Sequence, residues 1–455
     1  MSAALDPRPN PDATARPSTR IVVAGGGFGG LWAARELERL CARQPEVEIV
    51  LVCRDNFFLR TPLLFEAFSG TLELRHCSLP VRDFLHRARF VEATVDGIDL
   101  ERRVVHAAAA EGESYELPYD QLVLALGART NLGLIAGSEV AFTFKTLADA
   151  MVLRDHMIER LERADATDAE HDPARRRRLL TFVVIGGGLV GVELFGEMTA
   201  FADEIVRYYP RVRRAELRFV LFQALDRILP EVPEKLARYA ARVLGRRQGV
   251  EIRVHAAVES IEPGKVHVAG ETIEAGTIVL SAGIVPSPLS ASLPLARERR
   301  GHVLVDGTLR STERPEVWAL GDCAEVPDPN GRPYPYLAQH AMREAKVLAA
   351  NLHAALHGRP LSPFVYKSLG IMASLGHSKG LGEVLGVPLY GFLAWWVRRT
   401  YYLVQMPRWS RRVRILMDWT LALFFRPDIV KLDLASEPDL LARNHASGAS
   451  ARRPP

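Results

Sequence analysis

Two short stretches carry the residue types and spacing needed to hold a dinucleotide. Gly25, Gly27 and Gly30 form Gly-x-Gly-x-x-Gly directly after Ile21-Val22-Val23-Ala24, and Gly186, Gly188 and Gly191 repeat the pattern after Phe182-Val183-Val184-Ile185. When a strand runs into such a loop and then a helix, the first glycine permits the tight turn. The second lets a pyrophosphate approach the backbone, and the third lets the helix close on the strand. The phosphates then face N–H groups at the helix N-terminus, where the peptide dipoles favour an anion. Two complete copies, about one domain length apart, predict two bound dinucleotides, one for each copy.

Several residues near these loops qualify as contacts. Phe28 sits inside the first loop, and Glu193 follows Gly191 on the helix that the second loop opens. The strand after each loop normally ends in an acid that holds the adenosine ribose. Here those slots hold Cys53, followed by Arg54 and Asp55, and Gln223. Asp55 either serves the ribose or is a turn residue. A neutral Gln223, with Arg218 and Arg227 near in sequence, lessens the discrimination against a 2′-phosphate. Gly127 and Gly283 end buried apolar strands, Tyr119 to Leu126 and Thr277 to Ala282, with the spacing of chain returns to each sheet. Gly321-Asp322 follows the short strand Trp318-Ala319-Leu320, and Asp322 suits either a sugar-alcohol chain or the cap of the helix expected from Leu337 to Leu356.

The elements that must position these residues follow from periodicity. A helix is predicted over Leu31 to Leu40 and strands over Val47 to Val52 and Arg218 to Phe222. Phe90 to Val95 and Val104 to Ala108 read as a small meander, and Thr146 to Leu161 as a helix. Ile252 to Val254 and Val266 to Val268 add further strands. Glu162 to Arg178, ending in four arginines, reads as a solvated linker. The run Phe57 to Gly70 is too apolar for a surface loop and is expected to lie under something flat.

At 455 residues, with 48% apolar and 25% charged residues and a net charge of +4, the chain is long enough for two or three globular domains. This mild charge gives no reason to expect a nucleic-acid partner. Cys41, Cys53, Cys77 and Cys323 form no Cys-x-x-Cys and no His/Cys cluster with metal-site spacing, so they read as isolated thiols of a reducing compartment, without a metal. No stretch approaches the ~20 apolar residues that would span a bilayer. Residues 1–19 and 441–455 read as disordered tails. Leu389 to Phe425 interleaves Trp395, Trp396, Tyr401, Tyr402, Trp409 and Trp419 with Arg398, Arg399, Arg408, Arg411, Arg412 and Arg414, a pattern suited to a helix in a membrane interface or to a buried hairpin or dimer contact.

Together these motifs resemble the two-dinucleotide flavoprotein oxidoreductases, and among them the type II NADH dehydrogenases, single-subunit NADH:quinone oxidoreductases. The resemblance covers about Arg20 to Leu434. It rests on both glycine loops, Thr61-Pro62-Leu63-Leu64 with Gly70, Leu126-Gly127-Ala128, Gly321-Asp322, Ala338-Gln339 with Ala341, Gly370-Ile371-Met372-Ala373 and the basic aromatic C-terminus. It implies an α/β fold with two Rossmann-like domains, the second inserted in the first. FAD would occupy a domain formed by 20–138 and 284–386 and NADH, with NADPH admitted, a domain formed by 139–283, followed by a membrane-docking segment at 387–440. Asp322 would meet the FAD ribitol, Ala338-Gln339 would sit at the flavin ring where a membrane quinone docks, and Lys379 would join the cofactor contacts. Glu193 would lie near nicotinamide and flavin, influencing proton delivery or serving the structure. A homodimer on an anionic membrane surface, peripheral on the cytoplasmic face of the inner membrane, is implied. Arg343 replaces a glutamine frequent in the family four residues after Gln339. Two rival readings share the architecture: a sulfide:quinone oxidoreductase, which needs a reactive cysteine pair, and a non-catalytic NAD(P)H-binding redox sensor.

Overall fold

In a computed structural model, the described residues are 18–432, so most of the two expected tails lies outside them. Contacts divide the described chain into two compact units, one of 18–58, 80–128 and 286–366, the other of 59–79, 129–285 and 367–432. The segments interleave in sequence. Of the stretches expected in the flavin domain, 59–79, 129–138, 284–285 and 367–386 fall in the second unit.

The first unit is built on a parallel sheet with strand order Val317–Ala319, Gln121–Leu124, Thr19–Ala24, Val47–Cys53, Arg89–Glu92. Its middle strand is apolar because both faces are covered, and Ile21, Val22, Val23 and Ala24 are fully buried. Trp318 is buried in the edge strand beside Gln121–Leu124, and its indole N–H donates to Gln121 Oε1 at 2.8 Å. Helix Phe28–Leu40 turns Leu31, Ala33, Ala34 and Leu37 to the core, beside helix Ala338–Leu356. A Cβ on Gly29 would stand 3.0 Å from Leu320. The expected strand Phe90 to Val95 divides in two. Arg89–Glu92 forms the edge of the parallel sheet, and Thr94–Asp99 starts the antiparallel meander with Val104–Ala108 and Ser114–Pro118.

The second unit repeats the theme with the parallel order Val250–Arg253, Arg218–Phe222, Thr181–Ile185, Thr277–Leu280 and an antiparallel meander of Val258–Glu262, Lys265–Val268 and Glu271–Glu274. Helix Leu147–Ala166 starts in a capping box formed by Thr146 and Asp149. The expected solvated linker is partly helical. Asp172 caps helix Pro173–Leu179, which has Pro173 in its first turn, and Arg176 is buried and bonded to Glu216 at 3.0 Å and to the Thr167 carbonyl at 3.1 Å. The run Phe57 to Gly70 is no surface loop, as its apolar character predicts: Leu63, Leu64, Phe65, Ala67 and Phe68 are buried. Phe65 stacks on Phe144 with ring centroids 5.2 Å apart, and Phe68 meets Phe201 at 5.6 Å. The sheet Gly370–Ser374, Gly380–Val384, Val387–Tyr390 and the helices Gly391–Val404 and Trp409–Leu421 complete this unit. Among the described residues no helix is long and apolar enough to cross a membrane.

Candidate dinucleotide sites and a buried charge cluster

The first glycine loop is shaped by collisions that only glycine avoids. Gly25 has φ +109°, and a Cβ there would meet the Ala125 carbonyl oxygen at 2.3 Å. A Cβ on Gly30 would come within 1.8 Å of the Gly25 oxygen. Gly27 differs: no described atom lies within 4 Å of where its Cβ would stand. That space opens at the N-terminus of helix Phe28–Leu40, whose N-cap is Gly27 and which no described side chain caps. A dipole end facing open space is what a pyrophosphate requires. The Phe28 ring packs edge-on to Phe58 at 4.8 Å. In the ribose slot, the Cys53 Sγ lies 2.6 Å from where a Cβ on Gly26 would stand, so the thiol fills the space under the loop. Arg54 and Asp55 pair with each other at the surface at 3.1 Å.

The same unit brings together the Gly-Asp turn and the start of helix Ala338–Leu356. Gly321 has φ +66° and donates its N–H to Glu344 Oε2 at 2.8 Å. Glu344 is 3% exposed, and its burial, opposed by the Gly321 N–H and reinforced by Asp322, raises its carboxyl to about 7. The helix has Leu337 at its N-cap with no side-chain cap, so Asp322 does not have the capping role. Half-buried Gln339 accepts from the Tyr366 hydroxyl at 3.3 Å, and its carbonyl accepts from Arg343 at 3.3 Å. Ala338 precedes it, half-buried, in the first turn of the helix, and Gly127, with φ +66°, has no described atom near its missing Cβ. His340 is buried, and desolvation, with Arg343 nearby, lowers its imidazole to about 4. Glu344 and His340 escaped the sequence reading; the inward spacing of His340, Ala341, Glu344 and Ala345 on the helix was the only signal.

In the second unit Gly186, with φ +110°, turns against Ala282, and a Cβ on Gly191 would meet the Gly186 oxygen at 1.9 Å. A Cβ on Gly188 would stand 2.8 Å from the exposed Glu231 carboxylate. Gly188 is the N-cap of helix Leu189–Ile205 and, as in the first loop, no described side chain caps it. Gln223 is buried: it accepts from the Gly187 N–H at 3.3 Å and donates to the Arg227 carbonyl at 3.1 Å, so it braces the loop through both ends of its amide. Gly283, with φ +69°, accepts at its carbonyl from Asn131 N–H at 3.2 Å. Lys379 stands exposed in the turn after Gly376.

Glu193 points into a buried ionic cluster. Its carboxylate meets Arg398 at 2.9 Å and accepts from the Ser374 N–H at 2.8 Å. Arg398, 1% exposed, also donates to Glu66 at 3.2 Å and to the Pro62 carbonyl at 2.7 Å. Glu66 reaches Arg399 at 3.4 Å and accepts from the Trp419 indole at 2.6 Å, while Glu197 accepts from the Ser374 hydroxyl at 2.9 Å. Burial raises the Glu193 and Glu197 carboxyls, while Arg398 pulls that of Glu193 back down. Of the arginines expected on the membrane face, Arg398 is therefore buried and Arg399 half-buried, because Glu66 and Glu193 pair with them. Arg399 lies between the Trp395 and Trp419 rings at 4.1 and 4.8 Å. Trp396, Trp409, Leu423, Phe424 and Phe425 are exposed.

A family model for pyridine nucleotide-disulphide oxidoreductases matches residues 19–345. The chain belongs to that family. Relatives of this oxidoreductase include a probable NADH dehydrogenase of Dictyostelium discoideum, 30% identical with 90% of each chain covered. A type II NADH:quinone oxidoreductase of Mycobacterium tuberculosis is also 30% identical, over 91% of this chain and 90% of its own. The fold matches NDH2 of Plasmodium falciparum solved with NADH, with a TM-score of 0.83 and 18% identity over 91% of this chain and all of that one. Within its family the chain is a type II NADH dehydrogenase.

Proposed function

We propose that this enzyme transfers electrons from NADH to a membrane quinone, with FAD held by the first unit and NADH by the second. The observation that carries the reading is the pair of glycine loops, each at the end of a buried parallel strand and each opening an uncapped helix. At the first loop the open space beyond Gly27, the free dipole end and the left-handed Gly127 and Gly321 fit an extended dinucleotide. The chemistry supplied by the bound flavin is hydride acceptance from NADH and electron delivery to quinone. Gly25, Gly27, Phe28 and Gly30 bind the pyrophosphate end, Cys53 and Arg54 lie at the ribose, and Asp322 accepts hydrogen bonds from the ribitol. Gly186, Gly188, Gly191, Gln223 and Gly283 hold the nicotinamide nucleotide. Gln339, oriented by Tyr366, is the contact for the quinone head group. Glu193 acts as a positioning residue, since its carboxylate is already committed to Arg398 and Ser374. Lys379 belongs to the cofactor contacts by resemblance alone.

The exposed apolar side chains of the last two helices, with exposed Arg408 and Arg414 beside them, support docking on an anionic membrane surface. A homodimer, peripheral on the cytoplasmic face of the inner membrane, is part of the proposal. Against a sulfide oxidoreductase stand the cysteines: all four are free thiols, and burial keeps each protonated, Cys77 near 12 and Cys323 near 11, the reverse of what a nucleophilic pair needs. The test is anaerobic addition of NADH, NADPH or sulfide to the purified protein, followed by a soluble quinone. NADH should bleach the flavin bands and quinone restore them; bleaching by sulfide alone would overturn the reading, and bleaching by none would leave the sensor.

A further inference from the structure

We infer that Glu231 competes from within the chain for the place of the nicotinamide nucleotide's diphosphate: its carboxylate stands at the helix end that the diphosphate needs and swings away before the nucleotide seats. The inference rests on the assignment of that nucleotide to the second unit, and it names what limits the nucleotide's affinity there.

The two glycine loops share strand, turn and helix, yet they differ at one point. The middle glycine of such a loop lacks a Cβ so that a diphosphate can approach the backbone. Beyond Gly27 that space is open, whereas beyond Gly188 it holds Glu231, with Oε1 2.8 Å and Oε2 4.0 Å from where a Cβ would stand. The carboxylate is thus in the space that the loop keeps for phosphate. Charge explains why it stands there. Gly188 is the N-cap of helix Leu189–Ile205, no described side chain caps that end, and the peptide dipoles draw an anion to it.

The backbone on either side of Glu231 is held in place. Leu229 takes φ +52° and donates its N–H to the Gly187 carbonyl at 2.6 Å, while Arg227 Nη2 donates to the Pro230 carbonyl at 3.2 Å. Ile228, Leu229 and Val232 are buried. The root of the side chain is therefore fixed over the loop. Its tip is free to move: Glu231 is exposed, and among the described residues it makes no hydrogen bond and no ion pair. No cation neutralises the carboxylate, so its charge is felt in full by a second anion. Like charges about 4 Å apart repel even at the dielectric constant of water, so the carboxylate and a diphosphate do not share one helix end. Rotation about its side-chain torsions takes the carboxylate into solvent, and the nucleotide binds at the cost of that displacement. Substrate NADH and product NAD⁺ carry the same diphosphate, so both bind more weakly, and release of the product is eased.

The test uses the FAD-loaded full chain and ADP-ribose, which has the adenosine, diphosphate and ribose of the nucleotide but no nicotinamide to react. Adenosine, which has no phosphate, is the control. Isothermal titration calorimetry compares wild type with Glu231→Gln, which keeps the shape of an exposed side chain and removes its charge. At about 0.01 M salt, Glu231→Gln should bind ADP-ribose at least about fivefold more tightly, and adenosine as wild type does. At about 1 M salt, where charges are screened beyond roughly 3 Å, the two proteins should converge. If Glu231→Gln binds ADP-ribose no more tightly than wild type at low salt, the inference is overturned and the nucleotide assignment stands. A gain that survives high salt, or an equal gain for adenosine, overturns it as well, because the cause would not be charge. No binding of ADP-ribose by either protein overturns the nucleotide assignment and this inference with it.

Discussion

Replacing Arg398 with methionine, which keeps most of the volume, leaves Glu193 without its 2.9 Å cation and Glu66 without one of its two. Arg399 remains, but it reaches only Glu66. Removing one partner of a buried ion pair destabilises by about 3–5 kcal/mol. For a unit of this size that lowers the melting temperature by on the order of 10 °C. The pH dependence distinguishes this cause from a packing defect. Burial already holds the Glu193 carboxyl above its ordinary 4.5, with Arg398 pulling it back. Without the arginine the folded-state value rises further, so the folded protein binds the proton more tightly than the unfolded chain. The defect is then fully expressed above the raised value and shrinks as pH falls toward 4.5. Thermal melts of wild type and Arg398→Met, followed by far-UV circular dichroism from pH 8 to pH 5, should show a gap that is wide at pH 8 and narrow at pH 5. A gap of constant width would refute the electrostatic reasoning and leave only lost packing.

The two glycines of the first loop should separate binding from folding. Gly27, with φ −73° and open space at its Cβ, accepts alanine, so Gly27→Ala should melt like wild type yet lose FAD on gel filtration, whereas Gly30→Ala, 1.8 Å from the Gly25 oxygen, should not fold; a Gly27→Ala protein that keeps its flavin would refute this. Gln223→Glu should raise the NADH over NADPH ratio of kcat/KM about tenfold, roughly 1.4 kcal/mol, and an unchanged ratio counts against the ribose assignment. Gln339→Leu should slow flavin reoxidation by quinone in stopped flow while reduction by NADH stays within about twofold; equal damage to both would make Gln339 a flavin support. Trp409→Ser with Phe424→Ser should weaken liposome binding at least about tenfold, since burying each ring is worth about 1.5–3 kcal/mol, and Arg408→Gln with Arg414→Gln should flatten its salt dependence. Co-sedimentation equal to wild type would move the docking surface elsewhere.

The parallel sheets and glycine loops were legible because their signals are local: a β-branched run, three glycines at fixed offsets and an apolar helix face lie within about 20 residues of each other. What stayed illegible depends on distant partners. The arginines at 398 and 399 look like surface charge beside tryptophans, and nothing nearby in sequence shows that Glu66 and Glu193 claim them. Arg176 in its run of four arginines was misread for the same reason, since Glu216 lies 40 residues away. Asp322 as a helix cap failed because the helix starts only at Ala338. Phe57 to Gly70 was correctly read as too apolar for a surface loop, but its rings serve the core through Phe144 and Phe201. A truncation before Gly386, which the amphipathic reading invites, would remove the counter-charges of Glu66 and Glu193 along with the exposed aromatics.

The buried pairing of Glu66 with Arg398 also sets a timetable for synthesis. The two residues are 332 positions apart in the chain. At about 5–20 residues added per second, the acid leaves the ribosome roughly 20–60 s before its cation exists. Until Arg398 arrives, the carboxylate of Glu66, joined part-way by those of Glu193 and Glu197, has no buried cation to meet and stays in water, so the interior of the second unit cannot close around it. The first unit's glycine loop and its neighbouring strands face no such delay through Leu124. The nascent chain therefore carries a half-built nucleotide unit with an open, wet interior until its last helices arrive, and that interval is when chaperones and proteases find it.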